Sequence, residues 1–394
     1  MDFASRASRL DTLLLRYHPW WRFNAYSGAA APHLNVHNSL RDYLQSLSEA
    51  DILYLQGHDQ ALLKALKPYF EPAAELLELI SLASTPPSPS AQEPPTGVPG
   101  RKWQQITAFI AAQPTMYRPV LEWCSGKGYL GEAINQRYRL PVTALEIDTQ
   151  LVAAGNARAN SDTPLRQIIC CDVLSDDVHQ QLSPIQHLVA LHACGGLHQR
   201  LVRLAVAHDC PQISLTPCCY HRFNDTYFVL SKHLQTSALR ISNHDLRSAV
   251  RQTNTARSGE TQARRTLQAW HLGLRELLPQ LGMAKTTPLP SLPQHWSKRS
   301  FGEFAQALLD KKNISITLPT ELADAEQAGW QQLHRAEAID LVRMAFRRAL
   351  ELRCVLDSLL FLQENGYQCT LSEFCSPALS PRNLLIQAQK SPYT

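Results

Sequence analysis

Residues 120–131, Val-Leu-Glu-Trp-Cys-Ser-Gly-Lys-Gly-Tyr-Leu-Gly, constrain this chain more than any other stretch. Val120 to Trp123 is a short apolar run ended by turn residues, which reads as a buried strand. Gly126, Gly128 and Gly131 follow at G-x-G-x-x-G spacing, and Tyr129 to Tyr138 can wind as a helix. Strand, glycine turn and helix together bring backbone N–H groups close to a nucleotide-like ligand. Glycine suits the turn because the backbone needs unusual φ and no Cβ in the ligand's way. Glu146 stands twenty positions beyond Gly126, where an acidic partner of such a turn is expected.

The alternation continues downstream. The pattern predicts strands over 142–147, 167–170, 187–191 and 212–215, separated by helices at about 150–160, 176–182 and 197–208. Strands alternating with helices at this pace imply a parallel sheet covered on both faces. A long amphipathic helix is expected over about 333–364, ended by Gly366 as a C′ glycine, then two strands at 367–373 and 383–389. The expected architecture is α/β, a seven-stranded sheet closed by a terminal β-hairpin, with a helical N-terminal domain at 1–84. There Ser48 and Asp51 read as a helix cap. Residues 85–100 are Pro/Ser-rich and read as an extended linker. The core is placed at 101–221, a mostly helical insertion at 222–333, and the closing helix and hairpin at 334–394.

Composition sets the outer bounds. The 394 residues allow two or three domains, and 44% hydrophobic content supports a sizeable core. A net charge of +4 permits a nucleic-acid partner without requiring one. The ten cysteines lack framework spacing, and the vicinal pairs Cys170-Cys171 and Cys218-Cys219 suit a reducing compartment. The N-terminus lacks a signal peptide's apolar core, and no run reaches the roughly 18 apolar residues of a membrane span. A cytoplasmic protein without membrane contact is therefore expected; its oligomeric state is left open.

In an open α/β sheet the ligand sits at the carboxyl ends of the strands. Here those ends carry Glu122, Cys124 and the glycines; Glu146 and Asp148; Cys171, Asp172 and Val173; His192, Cys194 and Gly195; and Cys218, Cys219 and His221. A carboxylate ending the second strand suits the ribose hydroxyls of an adenosine, in nicotinamide and S-adenosylmethionine enzymes alike. Glu122 separates the two. A dinucleotide strand is apolar up to its first glycine, whereas a carboxylate there suits a ligand with an ammonium group. Asp172 is placed to accept from an adenine amino group.

These residues resemble the class I S-adenosylmethionine-dependent methyltransferases. Leu121-Glu122-Trp123-Cys124-Ser125-Gly126-Lys127-Gly128 is similar to their glycine motif, Ala144-Leu145-Glu146-Ile147-Asp148 to their ribose-binding strand, and Cys171-Asp172-Val173 to their adenine-side motif. His192-Ala193-Cys194-Gly195-Gly196, Pro217-Cys218-Cys219-Tyr220 and Leu379-Ser380-Pro381-Arg382-Asn383 resemble a narrower group of methyltransferase domains. It includes the glutathione S-transferase C-terminal-domain-containing protein and the ribosomal RNA adenine dimethylase domain-containing proteins. The resemblance covers about 100–221 and 334–390. It implies a Rossmann-like class I fold and S-adenosylmethionine as cofactor, held by Glu122, Cys124, Gly126, Gly128, Glu146, Asp172 and Val173. It leaves the acceptor open. No Asn- or Asp-Pro-Pro-aromatic turn follows the fourth strand, and there is no Lys-Asp-Lys-Glu set.

His192, Cys194, Cys218 and His221 are the candidate catalytic residues on the acceptor side. Each has a plain structural alternative, since cysteine often only packs. A zinc site built from Cys218, Cys219, His221 and Cys194 or His192 is the minor alternative; no metal is expected there, because adjacent cysteines lack C-x₂-C ligand spacing. Between 240 and 276 seven arginines face three acidic residues, and Arg240, Arg247, Arg251, Arg257, Arg264 and Arg265 are candidate contacts to an RNA acceptor, ribosomal or transfer, with Trp270 to stack a base. Two other readings stay open: a nicotinamide-dependent oxidoreductase, and a non-enzymatic RNA-binding or assembly protein on a degenerate methyltransferase fold.

Overall fold

A parallel strand covered on both faces is apolar along its length rather than alternating. Gln212–Cys218 is buried at every position, and so is Val120–Glu122. The computed structural model of the protein describes residues 1–26, 37–82, 93–158, 165–224, 226–249 and 258–390, in which these two strands lie inside a seven-stranded sheet. The strands are β1 (Val120–Glu122), β2 (Val142–Glu146), β3 (Arg166–Cys170), β4 (His187–Cys194), β5 (Gln212–Cys218), β6 (Tyr367–Glu373) and β7 (Leu384–Lys390). Their order is β3-β2-β1-β4-β5-β7-β6. The first five run parallel, and β7 lies antiparallel between β5 and β6. Strand order therefore reverses between β1 and β4, which opens a crevice at their carboxyl ends.

β4 and β5 run three residues past the ends that the apolar pattern indicates. A bulge falls between Leu191 and Ala193, where His192 takes a left-handed φ of 68°. Pairing resumes beyond it and sets Cys194 beside Cys218. The bulge hides this from a reading of alternation, because it turns one residue out of phase.

The chain forms two compact units: residues 1–18, 74–252 and 346–394, and residues 19–73 and 253–345. This grouping runs across the segments read from the sequence, because the insertion is shared between the units and residues 1–18 group with the sheet. Part of the predicted linker, 85–92, lies outside the described residues.

In the sheet unit, the helix Arg347–Glu364 is buried along most of its length. The sequence predicts one helix over 333–364; the structure has two, Ala323–Met344 and Arg347–Glu364. Ala345 and Phe346 keep right-handed helical torsions at the junction, so the apolar spacing carries across it unbroken. Gly366 follows the second helix with φ 83°, the left-handed turn expected of it. Asp357, on this helix, accepts from Leu230 N, Ser231 N, Ser231 Oγ and Tyr227 Oη at 2.8–3.0 Å and so holds the chain leaving β5. Asp357→Ala leaves those donors without an acceptor and is expected to cost about 3 kcal/mol or more. A urea midpoint unchanged by the substitution would show that the segment is held elsewhere.

The other unit is helical. Ser48 and Asp51 form a capping box at the start of helix Glu49–Gly57. Helices Ser258–Leu277 and Ala323–Met344 meet backbone to backbone, since a Cβ on Gly273 would lie 2.6 Å from the Ala325 carbonyl oxygen and one on Gly329 would strike that of Ala269. Trp270, Leu274, Phe304 and Leu308 fill its core. Two residues expected to meet RNA are buried inside this unit. Arg265 is 2% exposed and is paired with Glu337 at 3.0 Å and with Glu49, so its charge is matched internally. Trp270 is 5% exposed, and its Nε1 donates to Glu326 Oε1 at 2.7 Å. Arg251 and Arg257 lie outside the described residues, whereas Arg240, Arg247 and Arg264 are exposed. No helix among the described residues is long and apolar enough to cross a membrane.

Candidate functional site

The glycine turn begins where β1 ends. Cys124, Gly126 and Gly128 take left-handed φ of 55°, 60° and 68°. Ser125 N donates to Leu145 O at 2.9 Å and Gly128 N to Ser125 O at 3.0 Å, which pins the loop to β2 and closes it. Helix Tyr129–Tyr138 starts directly behind Gly128. A Cβ on Gly128 would come within 2.7 Å of Ile168 Cδ1 and 2.9 Å of Arg166 Nη2, so that glycine is required by packing below the loop. Gly126 differs. A Cβ there would meet only Lys102 Nζ, at 4.0 Å, so its outer side is open to a ligand.

Glu146 lies across from that opening. Its Oε2 accepts from Gly126 N at 2.7 Å, and its Oε1 accepts from Ile147 N at 3.0 Å and Asp148 N at 3.1 Å. The carboxylate thus bridges the β1 turn and the end of β2. Asp172, beyond β3, is exposed, and its Oδ1 accepts from Leu174 N at 2.9 Å. Val173 is buried beside it. Burial, with Glu146 and Cys194 acting in the same direction, pushes the Cys124 thiol up to about 12.

Glu122 lies beneath the turn. It is 3% exposed, and its Oε2 accepts from Gly131 N at 2.8 Å, on the first turn of the following helix. A Cβ on Gly131 would lie 2.5 Å from that oxygen. Burial raises its carboxyl to about 7, against the Gly131 hydrogen bond and the charges of Arg166 and Lys102. Glu122 therefore braces the glycine turn from beneath. Its Oε2 is engaged by that backbone amide.

On the other side of the crevice stand β4 and β5. His192 N donates to Thr216 Oγ1 at 2.7 Å, and its Nε2 pairs with Gln105 Oε1 at 2.9 Å. With a carbonyl oxygen as partner, Nε2 carries the proton and Nδ1 is the acceptor nitrogen. Burial lowers the ring's pKa to about 4, so His192 is neutral at pH 7. Cys194 Sγ lies 3.2 Å from Cys218 Sγ. Cys219, with φ 44°, turns back so that all three sulfurs lie within 4.8 Å of one another. Hydrogen bonds from Cys194 and Cys218, helped by Arg382 and His221, hold the Cys219 thiol well below its usual range. Cys194 rises to about 11 because the bond to Cys219 and burial outweigh the bond to Cys218; Cys218 rises well above its usual value by donating to both neighbours. His221 is half-buried and its Nδ1 is buried without a hydrogen-bond partner.

Gly195 and Gly196 let the next turn close. Gly195 N donates to Cys218 O at 2.8 Å and Gly196 N to Arg222 O at 2.9 Å. A Cβ on either would strike the backbone of Arg222 or Phe223. All the predicted site residues thus sit at the carboxyl ends of β1 to β5, in two sets. Glu122, Cys124, Gly126, Gly128, Glu146, Asp172 and Val173 lie toward β1–β3; His192, Cys194, Cys218 and His221 lie at β4 and β5. Lys102 and Gln105 were not foreseen. Both lie on helix Gly100–Ala111, upstream of the first strand, where helical periodicity gives no sign that two polar residues reach the crevice.

Residues 101–226 match the family described as a methyltransferase domain. The chain carries a class I methyltransferase domain. The sheet order and the reversed β7 belong to that fold, and its cofactor is S-adenosylmethionine. Among solved structures the chain is similar to the cyclopropane synthase MmaA2 from Mycobacterium tuberculosis, with 11% identity over 75% of this chain and 86% of that one and a TM-score of 0.25. The family match, and not that likeness, carries the methyltransferase domain and sets aside the nicotinamide reading.

The site fits the cofactor. Gly126 offers an open backbone face, and Glu146 stands beside it with acceptor capacity left over. The bound cofactor supplies a methyl group on a positively charged sulfur, ready for displacement. The chain supplies position: a turn fixed by Glu122 from below and Glu146 from the side.

Proposed function

We propose that this methyltransferase acts on RNA, with Glu146 and Asp172 holding the cofactor's adenosine and the β4–β5 side receiving the acceptor. One observation carries the acceptor reading. Around His221 the exposed residues are basic and aromatic together. Arg222 and Arg247 act electrostatically on His221, and both are exposed. Phe223 is 53% exposed and Phe228 60% exposed, and the Arg222 guanidinium lies 5.7 Å from the Phe223 ring centre. Exposed aromatic faces among arginines suit unstacked bases and their phosphates. Arg240 and His244, also exposed, belong to the same stretch of chain.

His192 is the residue for accepting a proton from the acceptor, being neutral at pH 7 with Gln105 fixing its tautomer. The three sulfurs of Cys194, Cys218 and Cys219 border the same end of the sheet. The cytoplasmic location expected from the vicinal cysteines belongs to this reading.

Incubation with labelled S-adenosylmethionine and undermethylated extract tests it, with portions treated by ribonuclease or protease. Label removed by ribonuclease is expected. Label removed by protease alone replaces RNA with protein as acceptor, and cofactor binding without any transfer favours a degenerate fold serving assembly. Arg222→Ala with Arg247→Ala is expected to raise KM for the RNA substrate and to flatten its salt dependence by roughly one unit of log–log slope per lost phosphate contact. An unchanged salt slope would remove these arginines from the interface.

A further inference from the structure

Thiol side chains from two neighbouring strands and the turn beyond them converge at one point in the crevice. We propose that Cys194, Cys218 and Cys219 bind a zinc ion, with one coordination position left open. C-x₂-C spacing brings ligands together along the chain. Here the ligands are brought together across it. β4 and β5 pair in parallel with Cys194 directly beside Cys218. The left-handed turn at Cys219 then returns the next sulfur to the pair.

The geometry suits the ion. A tetrahedral zinc about 2.3 Å from each sulfur holds those sulfurs about 3.8 Å apart. In this structure Cys194 and Cys218 are 3.2 Å apart and all three lie within 4.8 Å of one another. Small side-chain rotations therefore suffice. No other group of three His, Cys, Asp or Glu among the described residues is arranged this way. Sulfur ligands select zinc over magnesium or calcium, which take oxygen.

Charge is also matched. Three thiolates and one divalent ion leave a net charge of −1, and the cations are at hand. Arg382 acts on Cys219, and Arg222 acts on Cys194. The site is partly open, with Cys218 buried and Cys194 and Cys219 half-buried. Three protein ligands with an open fourth position are the arrangement of zinc centres that bind water or substrate. The buried, unpartnered Nδ1 of His221 lies two residues along the chain from Cys219.

The test reads metal rather than activity, so it stands or falls apart from the methyltransferase and RNA readings. The full chain, purified with reductant and without chelator, is expected to contain about one zinc per chain. Replacement by cobalt(II) is expected to give a thiolate-to-cobalt charge-transfer band with intense tetrahedral d–d bands. Cys219→Ser should lose most of the metal while still binding S-adenosylmethionine, and Cys170→Ser should keep it. If Cys219→Ser does not fold, the cobalt spectrum of the unaltered protein decides, because its charge-transfer intensity follows the number of thiolate ligands. The proposal is overturned by unaltered protein that takes up neither zinc nor cobalt. It is equally overturned by full metal content in folded Cys219→Ser, or by a Cys194–Cys218 disulfide in metal-free protein.

Discussion

Glu146→Ala is expected to weaken S-adenosylmethionine binding by roughly ten- to a hundredfold while leaving the protein folded. The size follows from the loss of a hydrogen bond to a charged acceptor, about 1.5–3 kcal/mol. The geometry refines what that carboxylate can do. A carboxylate has about four lone-pair directions. Oε1 has two occupied, by Ile147 N and Asp148 N, and Oε2 has one, by Gly126 N. One ribose hydroxyl can therefore bind Oε2 with the loop undisturbed. A second must displace the Gly126 amide or find another acceptor. Glu146→Gln is expected to be nearly as weak as the alanine variant, because an amide NH₂ would face one of the three backbone donors. Calorimetry with S-adenosylmethionine and with its demethylated product should give the same loss for both, since the ribose is common to them. Affinity unchanged in Glu146→Ala would remove Glu146 from the cofactor site.

The parts of the fold legible in the sequence were those written locally. Gly126 and Gly128 announce a left-handed turn, Gly366 a helix end, and the continuous apolar run before Cys218 a covered strand. Each depends on neighbours within a few residues. The parts that were not legible depend on what lies across the fold. Arg265 reads as a surface cation in a basic segment, but its partners Glu49 and Glu337 come from two other helices. Glu122 reads as a ligand contact because it ends a strand, yet the amide that meets it belongs to the next helix. The cysteines read as unsuited to a metal because Cys218 and Cys219 are adjacent and lack C-x₂-C spacing, while the strand register brings Cys194 beside Cys218 from across the fold. Reading the strand ends together brings these residues to one edge of the sheet; it does not tell which polar groups face the crevice and which support it from beneath.

Acid is expected to destabilise the protein well before its surface carboxylates protonate. His187 and His198 are 0% and 1% exposed, and burial lowers both to about 3. His192 is lowered to about 4 by the same cause. An unfolded chain protonates all three near pH 6.5, and the native protein does not until much lower. The unfolded state thus binds more protons, and stability falls as pH drops from about 6.5 toward 4. Glu122 acts in the opposite sense. Its native pKa of about 7 lies above the ordinary 4.5, so between those values the native state holds a proton that the unfolded chain releases. Three protons gained by the unfolded chain at these histidines, less one held by the native state at Glu122, leave a difference of two, to which the lowered Cys219, His221 and His271 add in the same direction. At about 1.4 kcal/mol per proton and pH unit, stability should fall by at least about 3 kcal/mol per unit across the pH 6 to 5 interval. Glu122→Gln removes the opposing contribution and should steepen the slope by about 1.4 kcal/mol per unit, despite lowering stability at neutral pH by disturbing the Gly131 contact. Urea unfolding at half-unit pH steps measures both slopes. A flat profile between pH 6.5 and 4.5 would mean that the buried histidines find proton acceptors in the native state. An unaltered slope in Glu122→Gln would mean that this carboxyl is ionised beneath the glycine turn, its charge held by Arg166 and Lys102.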